Sequence, residues 1–307
     1  VFGLLAIGMT LVIIAGGIDL SVGSVLAMCG ICFAKFTLHE GWPIAPAVGC
    51  AAAIGAAAGL VNGLWVVNLR LGLPLSAAAF GVPMMVLIGG VPLWLAVAIG
   101  AAGGAGLYLL HRRFGMGSRM QPFAATLAMM VIARGAAKWL SGGAKVQSTD
   151  VPDFYAWLST GRVPPLIFVF LAVAAFAFVV LRYSRAGRHI YAIGGNAEAA
   201  RLSGVRVRTV AALTYAFCGL TAALAGIGLV TRTTLGNPDV GVGYELDAIA
   251  AVVIGGTNLM GGRGGVLLTL LGVLIIGFLE KYLSLHGWET WARLMAKGAI
   301  IILAVAM

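Results

Sequence analysis

The stretch GMTLVIIAGGIDLSVGSVLA, residues 8–27, decides the fold. An apolar run is broken by Gly16, Gly17, Ile18, Asp19, Leu20, Ser21, Val22 and Gly23, and then resumes. It reads as two apolar helices joined through a glycine-rich break that holds a carboxylate. A second stretch, GGTNLMGGRGG at 255–265, repeats the pattern: an apolar helix, Gly-Gly, an Asp or Asn, Leu, further glycines and a new apolar helix. The preceding run at 247–260 is only about 21 Å long as a helix, short for a hydrocarbon core of about 30 Å. The two breaks look like copies in each half of the chain, running in the same direction.

Working outward, composition leaves one class. Of 307 residues, 61% are apolar, 10% are charged and 45 are glycine. Mean hydropathy is +1.03, too little polar surface to coat a water-facing globule. That excludes a soluble enzyme, a disordered tail and a secreted disulfide scaffold. The charge of +10 does not signal a nucleic-acid binder, because the basic residues lie in short loops between apolar runs. Cys29 and Cys32 form a CxxC, but no second pair or nearby His completes a metal site, and Cys29, Cys32, Cys50 and Cys218 read as buried thiols.

Apolar segments run at about 1–15, 20–37, 43–67, 73–90, 92–110, 122–140, 164–181, 209–230, 247–260, 266–283 and 291–307. No sustained period-2 alternation suggests strands. The expected fold is all-α: a polytopic transmembrane helical bundle with interrupted helices in two pseudo-repeated halves. Gly55, Gly59 and Gly63, at four-residue spacing, predict a close helix–helix contact. Residue 1 already lies in an apolar run and no signal peptide is visible, so a span preceding it is expected to be missing. The whole chain, 1–307, reads as a single permeation domain.

Loops 182–208 and 111–121 are Arg-rich, whereas 141–163 and 231–247 carry balancing acids. The positive-inside rule makes the first two cytoplasmic and the last two external, with the C-terminus inside. Phe154, Tyr155 and Trp157, beside Pro152, suit an interfacial aromatic anchor. Arg134 and Lys138, one turn apart, suit snorkelling to the interface, with a buried ion pair as the alternative.

Interrupted helices expose backbone groups to a cavity, so Gly16, Gly17, Asp19, Ser21, Glu245, Asp247, Thr257 and Asn258 are candidates for a translocation pathway. Turn-making and capping compete with that role: Asp19 for a helix beginning near Leu20, Glu245 and Asp247 at the start of the second short helix.

The loop GRHIYAIGGNAEAARLSGV at 187–205 carries the strongest local signal. Asn196 suits an N-cap, 197–202 favours helix, and Gly204 suits the stop. With GMTLVIIAGGIDLSVGSVLA (8–27), QPFAATLAMMVIARG (121–135) and GYELDAIAAVVIGGTNLMGGRG (243–264), this sequence resembles the permease subunits of ribose-type ATP-binding-cassette monosaccharide importers. The resemblance implies a helical permease of the cell (inner or plasma) membrane that dimerises with a second copy or a paralogue. It further implies docking of cytoplasmic ABC ATPase subunits and receipt of sugar from a periplasmic sugar-binding protein. It makes 194–204 the coupling helix, with Gly194, Gly195, Asn196, Glu198, Ala199, Arg201, Leu202, Ser203 and Gly204 meeting the ATPase. One departure is extra apolar material at 71–118, expected as an inserted helical hairpin. The chain lacks a GxxxxGK[ST] phosphate loop, HExxH and GxSxG, so no enzyme activity and no cofactor of its own are expected, ATP being bound by the partner subunits. An ion-coupled secondary transporter, resting on Asp19, is the alternative.

Overall fold

The computed structural model describes residues 1–67 and 120–306, with isolated positions between 92 and 113. The expected hairpin at 71–118 therefore lies outside the described stretches.

Twelve helices are named here in chain order: α1 Phe2–Ile14, α2 Val22–Ala34 continuing as a π-turn over Lys35–His39, α3 Ile44–Val67, α4 Pro122–Leu140, α5 Asp153–Ser159, α6 Leu166–Tyr183, α7 Arg185–Gly195, α8 Ala197–Leu202, α9 Val207–Thr233, α10 Tyr244–Ile254, α11 Val266–Leu285 and α12 Thr290–Ala306. Six are long and apolar enough to cross a membrane: α2 with its π-turn, α3, α4, α6, α9 and α11. The chain is a multi-pass helical bundle.

The centre is α9, packed along α3, α2 and α1. The α3 contact is made by the small residues. A Cβ on Gly59 would strike the Tyr215 carbonyl, and one on Gly63 would lie 2.6 Å from Ala212 Cα. Backbones that approach this closely gain dispersion contacts that lipid tails do not offer. The first hairpin, α1 and α2, is core: every residue from Gly3 to Ile14 and from Val22 to Ala34 is buried.

Two groups of loops collect at opposite ends. Val146 and Gly236 exchange backbone hydrogen bonds of 2.8 Å, His39 Nε2 lies 3.2 Å from the Gln147 carbonyl, and Ser159 donates to the Thr231 carbonyl at 3.1 Å. Thus the two acid-balanced loops share one end. From there the chain descends along α2, from Gly236 beside Ala34 to Gly241 beside Gly23, before α10 begins. With 11 residues, α10 is about 16 Å long and covers roughly half of a hydrocarbon core.

Three expectations are corrected. The helix expected over 247–260 starts at Tyr244 and stops at Ile254, because Gly256, at φ +93°, turns the chain out of the helix. Segment 182–208 is two helices, α7 and α8, with a kink at Asn196 between them. Tyr155 is no interfacial anchor: it is fully buried, stacked on Phe33 and hydrogen-bonded to Thr37 at 2.6 Å, leaving only Trp157 exposed in that cluster. Arg134 and Lys138 both reach the segment that descends along α2. Arg134 Nη1 donates to the Pro238 and Val240 carbonyls at 2.7 and 2.6 Å, and Lys138 pairs with Asp239 at 2.8 Å, clasping the descending segment. The Lys138 ammonium holds the Asp239 carboxyl below its ordinary range.

Candidate functional site

Both breaks start from the same local device. After α1, Gly16 N–H donates to Ile13 O and Gly17 N–H to Val12 O; after α10, Gly256 N–H donates to Val253 O and Thr257 N–H to Val252 O. Each is a Schellman stop, with a glycine in the left-handed region satisfying orphan carbonyls. The left-handed residue is the first glycine of the pair in one break and the second in the other, so the copies are out of register by one residue.

Beyond that point they diverge. In the first break, Asp19 Oδ1 accepts from Ser21 N–H at 2.9 Å, Ser21 Oγ at 2.6 Å and Asn62 Nδ2 at 3.3 Å, and Asn62 also donates to Ser21 Oγ at 2.8 Å. All three side chains are buried. Asp19 is therefore not the N-cap of a helix beginning near Leu20. The helix begins at Val22 with Ser21 at its cap position, and Asp19 anchors the turn before it. In the second break, Asn258 Oδ1 accepts from Met260 N–H at 2.9 Å, and the loop closes through Asn258 N–H to Arg263 O at 3.0 Å. Asn258 is exposed; Thr257 is buried, with its methyl and hydroxyl against Gly264.

The breaks meet. Gly262 N–H donates to the Ile14 carbonyl at 2.9 Å across 248 residues of chain, and a Cβ on Gly261 would lie 2.9 Å from Gly16 N and 3.0 Å from Gly194 Cα. A Cβ on Gly194 would fall on the Ile14 carbonyl oxygen and the Gly262 amide. Main chain from α1, α7 and the second break thus touches with no side chain between. Gly194 is half-buried with its Cβ position aimed at this junction, and α7 needs glycine there because nothing larger fits.

Past this junction, α8 is as the sequence predicts. Asn196 Oδ1 accepts from Glu198 N–H at 3.0 Å and Ala199 N–H at 2.9 Å. At the other end Gly204, at φ +85°, donates to Arg201 O, and Val205 N–H donates to Ala200 O, both at 3.0 Å. Capped at both ends, a six-residue helix that could not persist alone is fixed as a knob. Only Ala200 is buried. Leu202 is 75% exposed, and Asn196, Glu198, Ala199, Arg201 and Ser203 face outward with it. Glu198 and Arg201 pair one turn apart, which raises the Arg201 pKa from its ordinary value. Beside α8 a groove is lined by Glu198, Arg201, Arg206 and Arg208.

The remaining candidates gather around the start of α10. Glu245 Oε1 accepts from Gly243 N–H at 3.2 Å, and its other oxygen packs on Gly23, two residues past Ser21. Capping there agrees with the sequence reading. Asp247 also lies in the first turn of α10, and its two oxygens meet Lys297 Nζ of α12 at 3.0 and 3.1 Å, with Glu280 of α11 at 3.4 Å from the same ammonium. Lys297, Asn62 and Tyr191 are partners the sequence reading missed. An Asn or Lys within an apolar helix is the signal that could have flagged the first two.

Six apolar membrane-length helices, two interrupted hairpins and an exposed capped helix joined through α7 to both breaks define a helical permease. The chain belongs to the family described as branched-chain amino acid transport system / permease component, whose model matches residues 1–79 and 65–305. It is similar to the ribose import permease protein RbsC of Escherichia coli (strain K12), 38% identical over 98% of this chain and 80% of that protein. RbsC of Bacillus subtilis (strain 168) is 35% identical over 99% and 80%. The xylose transport system permease protein XylH of Escherichia coli (strain K12) is 33% identical over 99% and 81%. No solved structure matches the chain.

Proposed function

We propose that this chain forms the translocation pathway of an ATP-binding-cassette importer for a monosaccharide, ribose or a related sugar, with energy supplied by separate ATPase subunits. One observation carries the reading: an exposed, doubly capped helix, α8, joined through α7 to the only two interrupted hairpins among the described residues. Two discrete packings are needed to turn a local push into alternating access, and helix breaks are where a bundle can repack. Ribose and xylose import by its relatives supports the solute class. Catalysis of bond changes and ATP binding are assigned to the partners, not to this chain.

In the same reading α8 lies on the cytoplasmic face of the cell membrane, the C-terminus is cytoplasmic, and a second permease copy completes the pathway. A periplasmic binding protein delivers sugar at the Val146–Gly236 end. Leu202 would seat in an apolar socket of the ATPase, and the arginine-lined groove beside it suits an acidic rim there. A neutral sugar needs hydroxyl, amide and backbone partners and no fixed countercharge. Ion coupling through Asp19 has weaker support, because Ser21 and Asn62 already engage that carboxylate in the turn.

The test is co-purification of the ATPase with the membrane-extracted complex, together with uptake of a panel of labelled pentoses and hexoses by reconstituted complexes. Leu202→Glu and Glu198→Lys are expected to release the ATPase and abolish vanadate-sensitive uptake while leaving folding unchanged. Retention of both activities by both variants sinks the coupling assignment, and uptake that a protonophore abolishes and vanadate spares sinks the ATP-driven reading.

A further inference from the structure

We propose that Tyr191 is a positioning residue that makes α7 a rigid strut, delivering displacement of α8 to both helix breaks at once. This rests on the functional reading above, which identifies α8 as the element that is pushed. The Tyr191 hydroxyl donates to the Gly264 carbonyl at 2.9 Å, fixing α7 to the far side of the second break. One turn on, Gly194 packs on the Ile14–Gly262 hydrogen bond, which itself ties the first break to the second. Ile190 and Ile193 beside them are buried, and Ile190 lies in one apolar cluster with Ile14 of α1 and Val266 of α11. Thus Tyr191 and Gly194, one turn apart, grip the second break and the end of α1.

Helix α7 ends at Gly195, and Asn196 caps α8 directly, so a single residue separates the strut from the knob. Its own N-terminus is capped by Ser184 Oγ, which accepts from Gly187 N–H at 3.0 Å and holds the first turn of α7 in helical form. Nothing in the chemistry of the solute requires this hydroxyl. Its partner is a main-chain carbonyl, and its effect is to stop the second break from sliding along α7 when α8 is displaced.

The experiment compares Tyr191→Phe with Tyr183→Phe, an exposed tyrosine at the end of α6 that serves as control. In the purified chain, Tyr191→Phe is expected to speed amide hydrogen exchange across 256–264 about 3- to 10-fold, the scale of one lost hydrogen bond, with the control unchanged. In proteoliposomes holding the ATPase and the binding protein, sugar carried per ATP hydrolysed is expected to fall by about the same factor. ATPase retention and hydrolysis rate stay as in the parent. A merely structural tyrosine would lower both rates together. Unchanged exchange overturns the strut; faster exchange with unchanged sugar per ATP overturns transmission. A parent chain that retains no ATPase at all overturns the functional reading, and transmission with it, while exchange still decides whether the contact holds the break.

Discussion

The two interrupted hairpins solve one problem in different ways. In the first, α1 from Gly3 onward and all of α2 are buried and the turn is held by side chains, with Asp19 taking donors from Ser21 and from Asn62 on α3. In the second, the turn is held mostly by main chain, Asn258 is exposed, and Met260 at its tip is 85% exposed. Its arms are secured at a distance instead, through the buried Lys297 that joins Asp247 on α10 to Glu280 on α11. A turn inside the core is fixed by desolvated polar contacts that are costly to break. One at the surface is cheap to open and is positioned by what it leans on.

Three substitutions test that contrast, from the largest effect to the smallest. Lys297→Met leaves Asp247 as an unpaired buried charge and is expected to cost about 3–5 kcal/mol, read as the unfolding free energy in detergent. Adding Asp247→Leu should restore most of it; failure to restore would mean that the stranded Asp247 charge is not the source of the loss. Asp19→Ala strands the donors of Ser21 and Asn62 and should cost roughly 2–4 kcal/mol by the same measurement. Asn258→Ala removes one exposed hydrogen bond, with an expected cost of only about 0.5 kcal/mol. If Asn258→Ala proves as damaging as Asp19→Ala, the two turns are mechanically alike and the contrast is wrong.

What the sequence made legible follows the range of the interaction. Helix α8 could be read to the residue because its signals are local: an Asn side chain reaching amides two and three positions on, and a glycine free to take φ +85°. The breaks could be located for the same reason, since Gly-Gly after an apolar run ends a helix. Their partners could not. Asn62 lies 43 residues from Asp19, and Lys297 lies 50 from Asp247. Which face each helix presents is set by packing, not by spacing along the chain. Gly194 shows the limit most directly. Its neighbours Asn196 and Glu198 are exposed as expected, yet the rotation of α7 points Gly194 at Ile14. The one-residue slip between the two breaks was hidden too, because both Gly-Gly pairs look alike until one φ angle in each changes sign.

Where Gly16, Gly194, Gly261 and Gly262 touch, the gap between segments is set by atoms that every amino acid shares. Side chains elsewhere in the bundle can therefore change without altering how closely these three segments approach.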